Sequence, residues 1–105
     1  MSEWTTVEGE AALPEGSLLA TDLDGLPVLL LRYRGCIHAF ENRCTHDGSE
    51  MTGGHLDQGE IVCPFHGARF AADSGEALCA PAYEPLTPIA VRIENGCIQL
   101  KDERW

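Results

Sequence analysis

Turn signals recur along this chain at intervals too short to leave room for long helices. Asp24-Gly25, Arg34-Gly35, Gln58-Gly59 and Asn95-Gly96 are two-residue pairs, and Pro14-Glu15-Gly16, Gly53-Gly54 and Asp73-Ser74-Gly75 fall among them. Asn, Asp and above all Gly tolerate the left-handed backbone that joins two strands tightly. The runs between these signals are rich in branched and aromatic residues, which is the pattern of an all-β domain. No segment sustains a 3.6-residue period, and a single helical turn around Glu10–Leu13 is the most the sequence allows.

Two of the turns predict a register. With Asn95-Gly96 as a two-residue loop, Glu94 faces Cys97, Ile93 faces Ile98 and Val91 faces Leu100, with Arg92 and Gln99 on the other side. With Asp24-Gly25 treated the same way, Leu23 faces Leu26 and Leu19 faces Leu30. Both hairpins acquire an apolar face. At 105 residues the chain has the size of one domain, and its 44% hydrophobic content is enough for a packed core.

Charge narrows the function. Seven basic residues stand against 17 acidic ones, a net charge of −10, whereas nucleic acid and anionic lipid surfaces both call for a basic face. The longest apolar stretches, such as Val28–Leu31, fall far short of the roughly 20 residues of a spanning helix. Met1-Ser2-Glu3-Trp4 offers no basic region followed by an apolar one, so a cytoplasmic protein is expected. The odd cysteine count (Cys36, Cys44, Cys63, Cys79 and Cys97) argues against a disulfide framework and for metal ligands plus buried thiols.

Residues 44 to 68 break the β pattern and carry the chemistry. Cys44-Thr45-His46 is followed, after 16 intervening residues, by Cys63-Pro64-Phe65-His66. Each half offers one thiolate and one imidazole. Four such donors either close one tetrahedral zinc site or divide between two irons, both cysteines on one and both histidines on the other. His55 lacks a cysteine at comparable spacing and reads as a solvent-facing loop residue, and His38 as a structural residue of a strand. Cys36, Cys79 and Cys97 read as small buried apolar residues. Gly48, Gly53, Gly54 and Gly67 are expected to let backbone approach the sulfurs. Asp47, Glu50, Asp57 and Glu60, with no basic residue among them, suggest an acidic rim that steers docking.

The paired pattern, read as Cys44, His46, Cys63, Pro64, His66 and Gly67, resembles that of the bacterial Rieske-type ferredoxins that serve multicomponent non-haem iron oxygenases acting on aromatic rings. The resemblance covers essentially the whole chain, and Ala80-Pro81-Ala82 looks like the proline-bearing loop over the cluster in such proteins. It implies the all-β Rieske fold of antiparallel sheets: one domain, residues 1–105, with a cluster-binding lobe of about 43–71 inserted in a base of 1–42 and 72–105. It also implies one [2Fe–2S] cluster, with Cys44 and Cys63 on the buried iron and His46 and His66 on the outer one. The implied partners are a flavoprotein ferredoxin reductase and a terminal non-haem iron oxygenase. Catalysis within the chain is not expected, because the 39 residues after His66 contain no histidine for a mononuclear iron site. Two competing readings are a small subunit like that of nitrite reductases and a zinc-stabilised interaction domain.

Departures from the membrane-bound respiratory relatives bear on the redox chemistry. Ser49 and Phe65 stand where those proteins are bridged by a disulfide, so packing and backbone hydrogen bonds must hold the loops here. Ala68 and Phe70 stand where serine and tyrosine donate to cluster sulfurs. Such hydrogen bonds stabilise the added electron, and without them the potential falls. Two neutral imidazoles in place of thiolates act the other way, since reduction then starts from an uncharged site instead of a doubly negative one. The expected midpoint potential is about −150 mV, at the low end of the Rieske range. Protein-film voltammetry checks this, and a clearly positive potential would overturn it.

Overall fold

Four of the expected turns close hairpins in the computed structural model, which describes residues 4–45, 50–64, 67–79 and 84–101. At each of them both central residues have positive φ: 50° and 87° at Asp24-Gly25, 53° and 77° at Arg34-Gly35, 50° and 80° at Gln58-Gly59, 53° and 75° at Asn95-Gly96. This is the type I′ geometry whose twist matches that of the strands it joins. Arginine is an unusual occupant of such a position. The Glu15 carboxylate compensates by accepting hydrogen bonds from the backbone N–H groups of Arg34 and Gly35, at 2.7 and 2.8 Å.

Among the described residues there are ten strands, one 3-10 turn and no α-helix. The strands are β1 (Trp4–Gly9), β2 (Leu18–Leu23), β3 (Leu26–Tyr33), β4 (Cys36–Glu41), β5 (His55–Asp57), β6 (Glu60–Val62), β7 (Arg69–Ala71), β8 (Ala77–Cys79), β9 (Ala90–Glu94) and β10 (Cys97–Lys101). The 3-10 turn, Glu10–Ala12, falls where one helical turn was expected. The strands make three antiparallel sheets in the orders β1-β10-β9, β2-β3-β4 and β5-β6-β7-β8. The predicted registers hold: Ile93 pairs with Ile98 and Val91 with Leu100, while Leu19 pairs with Leu30 and Leu23 with Leu26. One side chain on the predicted apolar face is not buried. Ile93 lies on the edge strand β9 and is 41% exposed, while its partner Ile98 is fully buried.

The apolar run in β3 explains how the sheets stack. Val28, Leu29, Leu30 and Leu31 are all fully buried. Alternate residues enter different clusters: Val28 and Leu30 join Leu13, Leu23, Leu26, Ala39, Ile98 and Leu100, whereas Leu29 and Leu31 join Phe40, Met51, Ile61 and Phe70. The middle strand of the middle sheet is therefore covered on both faces, which is why it lacks the polar alternation of a one-sided strand. Burial of each of these side chains contributes roughly 1.5–3 kcal/mol.

The chain leaves β8 and returns along β4. Leu86 N–H donates to Gly75 O, and the backbone N–H groups of Glu41 and Ile89 donate to Thr87 O and Ala39 O, at 2.8 to 2.9 Å. Gly75 is needed at this junction: its φ is +77°, and a Cβ would stand 2.7 Å from the Phe40 ring.

The contrast between the doubly covered strand β3 and the exposed edge strand β9 is testable by chemical denaturation. Leu30→Ala, in the shared strand, is expected to cost about 2–5 kcal/mol. Ile93→Ala, on the exposed edge, is expected to stay within about 0.5 kcal/mol of the wild type.

Candidate metal centre

The two cysteines of the paired pattern sit at the ends of short elements and point into one core. Cys44 follows β4 by three residues and Cys63 follows β6 directly. They are 0% and 1% exposed, and both belong to the cluster that holds Leu29, Leu31, Phe40, Met51, Ile61, Ala68 and Phe70. The second loop is closed by its own backbone: Cys63 N–H donates to Ala68 O at 2.8 Å, and Gly67 N–H donates to Cys63 O at 3.3 Å. Gly67 has φ +71°, with open space where a Cβ would stand, so its role there is conformational.

The first loop is tied to other parts of the chain. The Thr45 hydroxyl donates to Glu84 O at 2.7 Å. Asn42 N–H donates to Pro27 O at 2.9 Å, and the Asn42 side chain accepts from Met51 N–H at 2.7 Å and donates to Thr52 Oγ1 at 2.6 Å. Sequence reasoning missed Asn42 altogether, because an asparagine between a strand and a loop is ordinary turn chemistry.

Of the remaining expected site residues, His46 and His66 lie outside the described residues, as do Asp47, Gly48, Ser49, Phe65 and the Ala80-Pro81-Ala82 segment. His55 is exposed, as expected, although it opens β5 instead of lying in a loop, and His38 is half-buried in β4 opposite Leu31. Three cysteines correct the expectation of buried thiols: Cys36 and Cys79 are exposed and Cys97 is intermediate. Cys36 and Cys97 directly follow the tight turns at Gly35 and Gly96, and Cys79 ends the edge strand β8, so none lies deep in a sheet.

Gly54 lies against the backbone of β6, whose last residue precedes Cys63. A Cβ on Gly54 would fall 1.9 Å from Val62 O, and one on Gly53 would touch the Pro64 ring at 3.6 Å. The acidic set is only partly unpaired. Arg69, one residue beyond the 44–68 segment, bonds through Nε to Glu60 and through Nη2 to Asp57 at 2.7 Å. Bonding to Glu60, then to Asp57, raises the guanidinium pKa above its ordinary value, so Arg69 stays charged throughout the accessible pH range. Glu50 remains exposed.

Two thiols in one apolar cluster, each followed in the sequence by an imidazole two or three residues later, form a donor set suited to a mixed sulfur-and-nitrogen iron site. Residues 3–92 match the model of the Rieske [2Fe-2S] domain family. The chain belongs to that family. Its cofactor is a Rieske-type [2Fe–2S] cluster, and its all-β architecture is that of the Rieske fold.

Among relatives of this Rieske protein, the ferredoxin component of naphthalene 1,2-dioxygenase/salicylate 5-hydroxylase systems from Ralstonia sp. is 37% identical, the match covering 87% of this chain and 88% of that one. The structure is also similar to that of a ferredoxin solved in a complex of reduced oxygenase and oxidized ferredoxin in carbazole 1,9a-dioxygenase. That similarity has a TM-score of 0.85 at 28% identity, over 92% of this chain and 91% of the other. A protein from Mycobacterium tuberculosis, assigned as an NADH-dependent nitrite reductase small subunit, matches with a TM-score of 0.84 at 26% identity, over 100% and 99% of the two chains.

The two kinds of glycine in this Rieske site should respond differently to substitution. Gly54→Ala, which meets a backbone carbonyl, is expected to cost about 3 kcal/mol, and Gly67→Ala about 1–2 kcal/mol from its left-handed conformation alone. Urea titration of the holoprotein measures both.

Proposed function

We propose that the protein is a one-electron carrier, the ferredoxin of an oxygenase system, accepting electrons from a flavin- or NAD(P)H-linked reductase and passing them to a terminal non-haem iron oxygenase. It works in the cytoplasm, and no catalytic residue is assigned. The observation that carries this reading is the burial of Cys44 and Cys63 in one core cluster, each at the root of a Cys/His loop. In this reading Cys44 and Cys63 hold the buried iron and His46 and His66 the outer one. The chain acts as one domain, with a cluster-binding lobe of about residues 43–71 on a base of 1–42 and 72–105. β8 pairs with β7 from beyond that bound and links the two.

When bound, the cluster supplies a one-electron couple. The protein's own residues set its surroundings. Met51, Ile61, Ala68 and Phe70 are fully buried and exclude water from the cysteine side. Ala68 and Phe70 have no side-chain hydrogen to donate, consistent with a potential near the low end of the Rieske range. Partner choice is electrostatic in part: a net charge of −10 favours docking onto basic surfaces. Exposed Glu50 contributes to that field, while Asp57 and Glu60 are offset by Arg69.

The ligand assignment is tested by analysis and spectroscopy. Aerobically purified protein is expected to contain iron and acid-labile sulfide, and His66→Ala to lose the Rieske EPR signal of the reduced protein. A colourless zinc protein, or an EPR signal unchanged by His66→Ala, overturns the assignment. No helix among the described residues is long and apolar enough to cross a membrane.

A second reading, a small redox subunit of the nitrite reductase type, is favoured by the full-length structural match to such a protein. Stopped-flow electron transfer to a ring-hydroxylating oxygenase, against transfer within a nitrite reductase, separates the two. In the oxygenase system the rate is expected to fall as salt screens docking. Glu50→Gln should weaken that salt dependence more than Glu60→Gln does, and a rate indifferent to ionic strength removes the electrostatic part of the proposal.

A further inference from the structure

Asn42 is the one buried polar side chain among the described residues, at 2% exposure. It stands two residues before Cys44, at the end of the central sheet, and every polar atom of its side chain is used. Its Oδ1 accepts from Met51 N–H at 2.7 Å, its Nδ2 donates to Thr52 Oγ1 at 2.6 Å, and its backbone N–H donates to Pro27 O in β3 at 2.9 Å. Met51 is itself fully buried, in the same cluster as Cys44 and Cys63. The side-chain amide thus ties the approach to Cys44 to the point where the chain re-enters the core, while the Asn42 backbone ties it to the strand beneath.

We propose that Asn42 is a positioning residue for the cluster, fixing the approach to Cys44 so that the thiol is held in place whether or not the metal pulls on it. The chemistry needs an acceptor and a donor on one rigid side chain of this length. Alanine provides neither and leaves the buried Met51 N–H without a partner. Aspartate keeps the acceptor facing Met51 and accepts from the Thr52 hydroxyl in place of donating to it. Partners that orient ligands in this way typically change metal affinity by about 10–100-fold when removed.

The inference rests on Cys44 as a ligand, and the experiment keeps the two apart. Holoprotein of the wild type, Asn42→Ala, Asn42→Asp and Thr52→Val is compared with Ile98→Val, a core change in the cluster on the other side of β3. Two quantities are read: the rate of iron release to bathophenanthroline, well below each variant's unfolding temperature, and the g-values of the reduced centre by EPR. Asn42→Ala is expected to release iron about 10-fold faster than the wild type and to shift the g-values. Thr52→Val should move both in the same direction by less, Asn42→Asp should return the rate towards that of the wild type, and Ile98→Val should leave the g-values unchanged.

If Asn42→Ala releases iron no faster than Ile98→Val and keeps the wild-type g-values, Asn42 only stabilises the fold and the proposal fails. Where Asn42→Ala does not fold, an unaltered rate and spectrum in Thr52→Val overturn it equally. A wild-type protein without any Rieske spectrum overturns the assignment of Cys44 instead.

Discussion

The double burial of β3 is the constraint on which the rest of this molecule depends. Val28 and Leu30 face one cluster and Leu29 and Leu31 the other, so a single strand is the wall between a core shared with β10 and a core that contains both cysteines. With apolar residues on both faces, a slip of one residue would exchange two equally greasy rows, and hydrophobic alternation alone does not set the register. The turns on either side set it. Asp24-Gly25 and Arg34-Gly35 both adopt the two-residue geometry that admits one pairing, and the Glu15 carboxylate holds the second of them from outside the hairpin. That pairing puts Phe40 opposite Leu29, and two residues further on the chain passes through Asn42 and into Cys44.

What the sequence reveals and what it conceals divide along this line. The turns and both tested hairpin registers were legible because they are local: a pair of residues with the right backbone preference decides each of them. The family was legible because four donors at fixed spacing carry it. Exposure of Cys36, Cys79 and Cys97 was not legible, since a thiol's burial depends on how far along a strand it sits and on which sheet edge the strand occupies. The partnership of Arg69 with Asp57 and Glu60 was hidden for the same reason: it requires β5, β6 and β7 to lie side by side, and a count of charges along the chain stops just short of it. The contact of Gly54 with the Val62 carbonyl was not legible either, since it requires β6 to lie beside the approach to β5.

The Arg69 pairing also refines where the acidity acts. A guanidinium bonded to two carboxylates on one sheet face cancels half of their charge at a distance, while holding β5, β6 and β7 together at the surface. The remaining excess, part of a net charge of −10, includes the exposed Glu50. Such a field raises encounter rates with a basic partner without dictating one orientation, and final alignment is left to the shape of the cluster-bearing end.

Holding the two Cys/His loops without a disulfide calls for a different division of labour. A disulfide would fix the loops to each other and leave their joint position to packing. Here each loop is fixed separately to the body beneath it. The second closes on itself through Cys63, Gly67 and Ala68; the first is bound through Asn42 to β3 and Met51, and through Thr45 to Glu84. The relative placement of Cys44 and Cys63 is then transmitted through Met51, Ile61, Ala68 and Phe70, which fill the core they share. Close-packed side chains transmit displacement because they have no void to relax into. The close-packed residues around the two cysteines therefore also set the distance between them, so a substitution in this core changes stability and cysteine placement together.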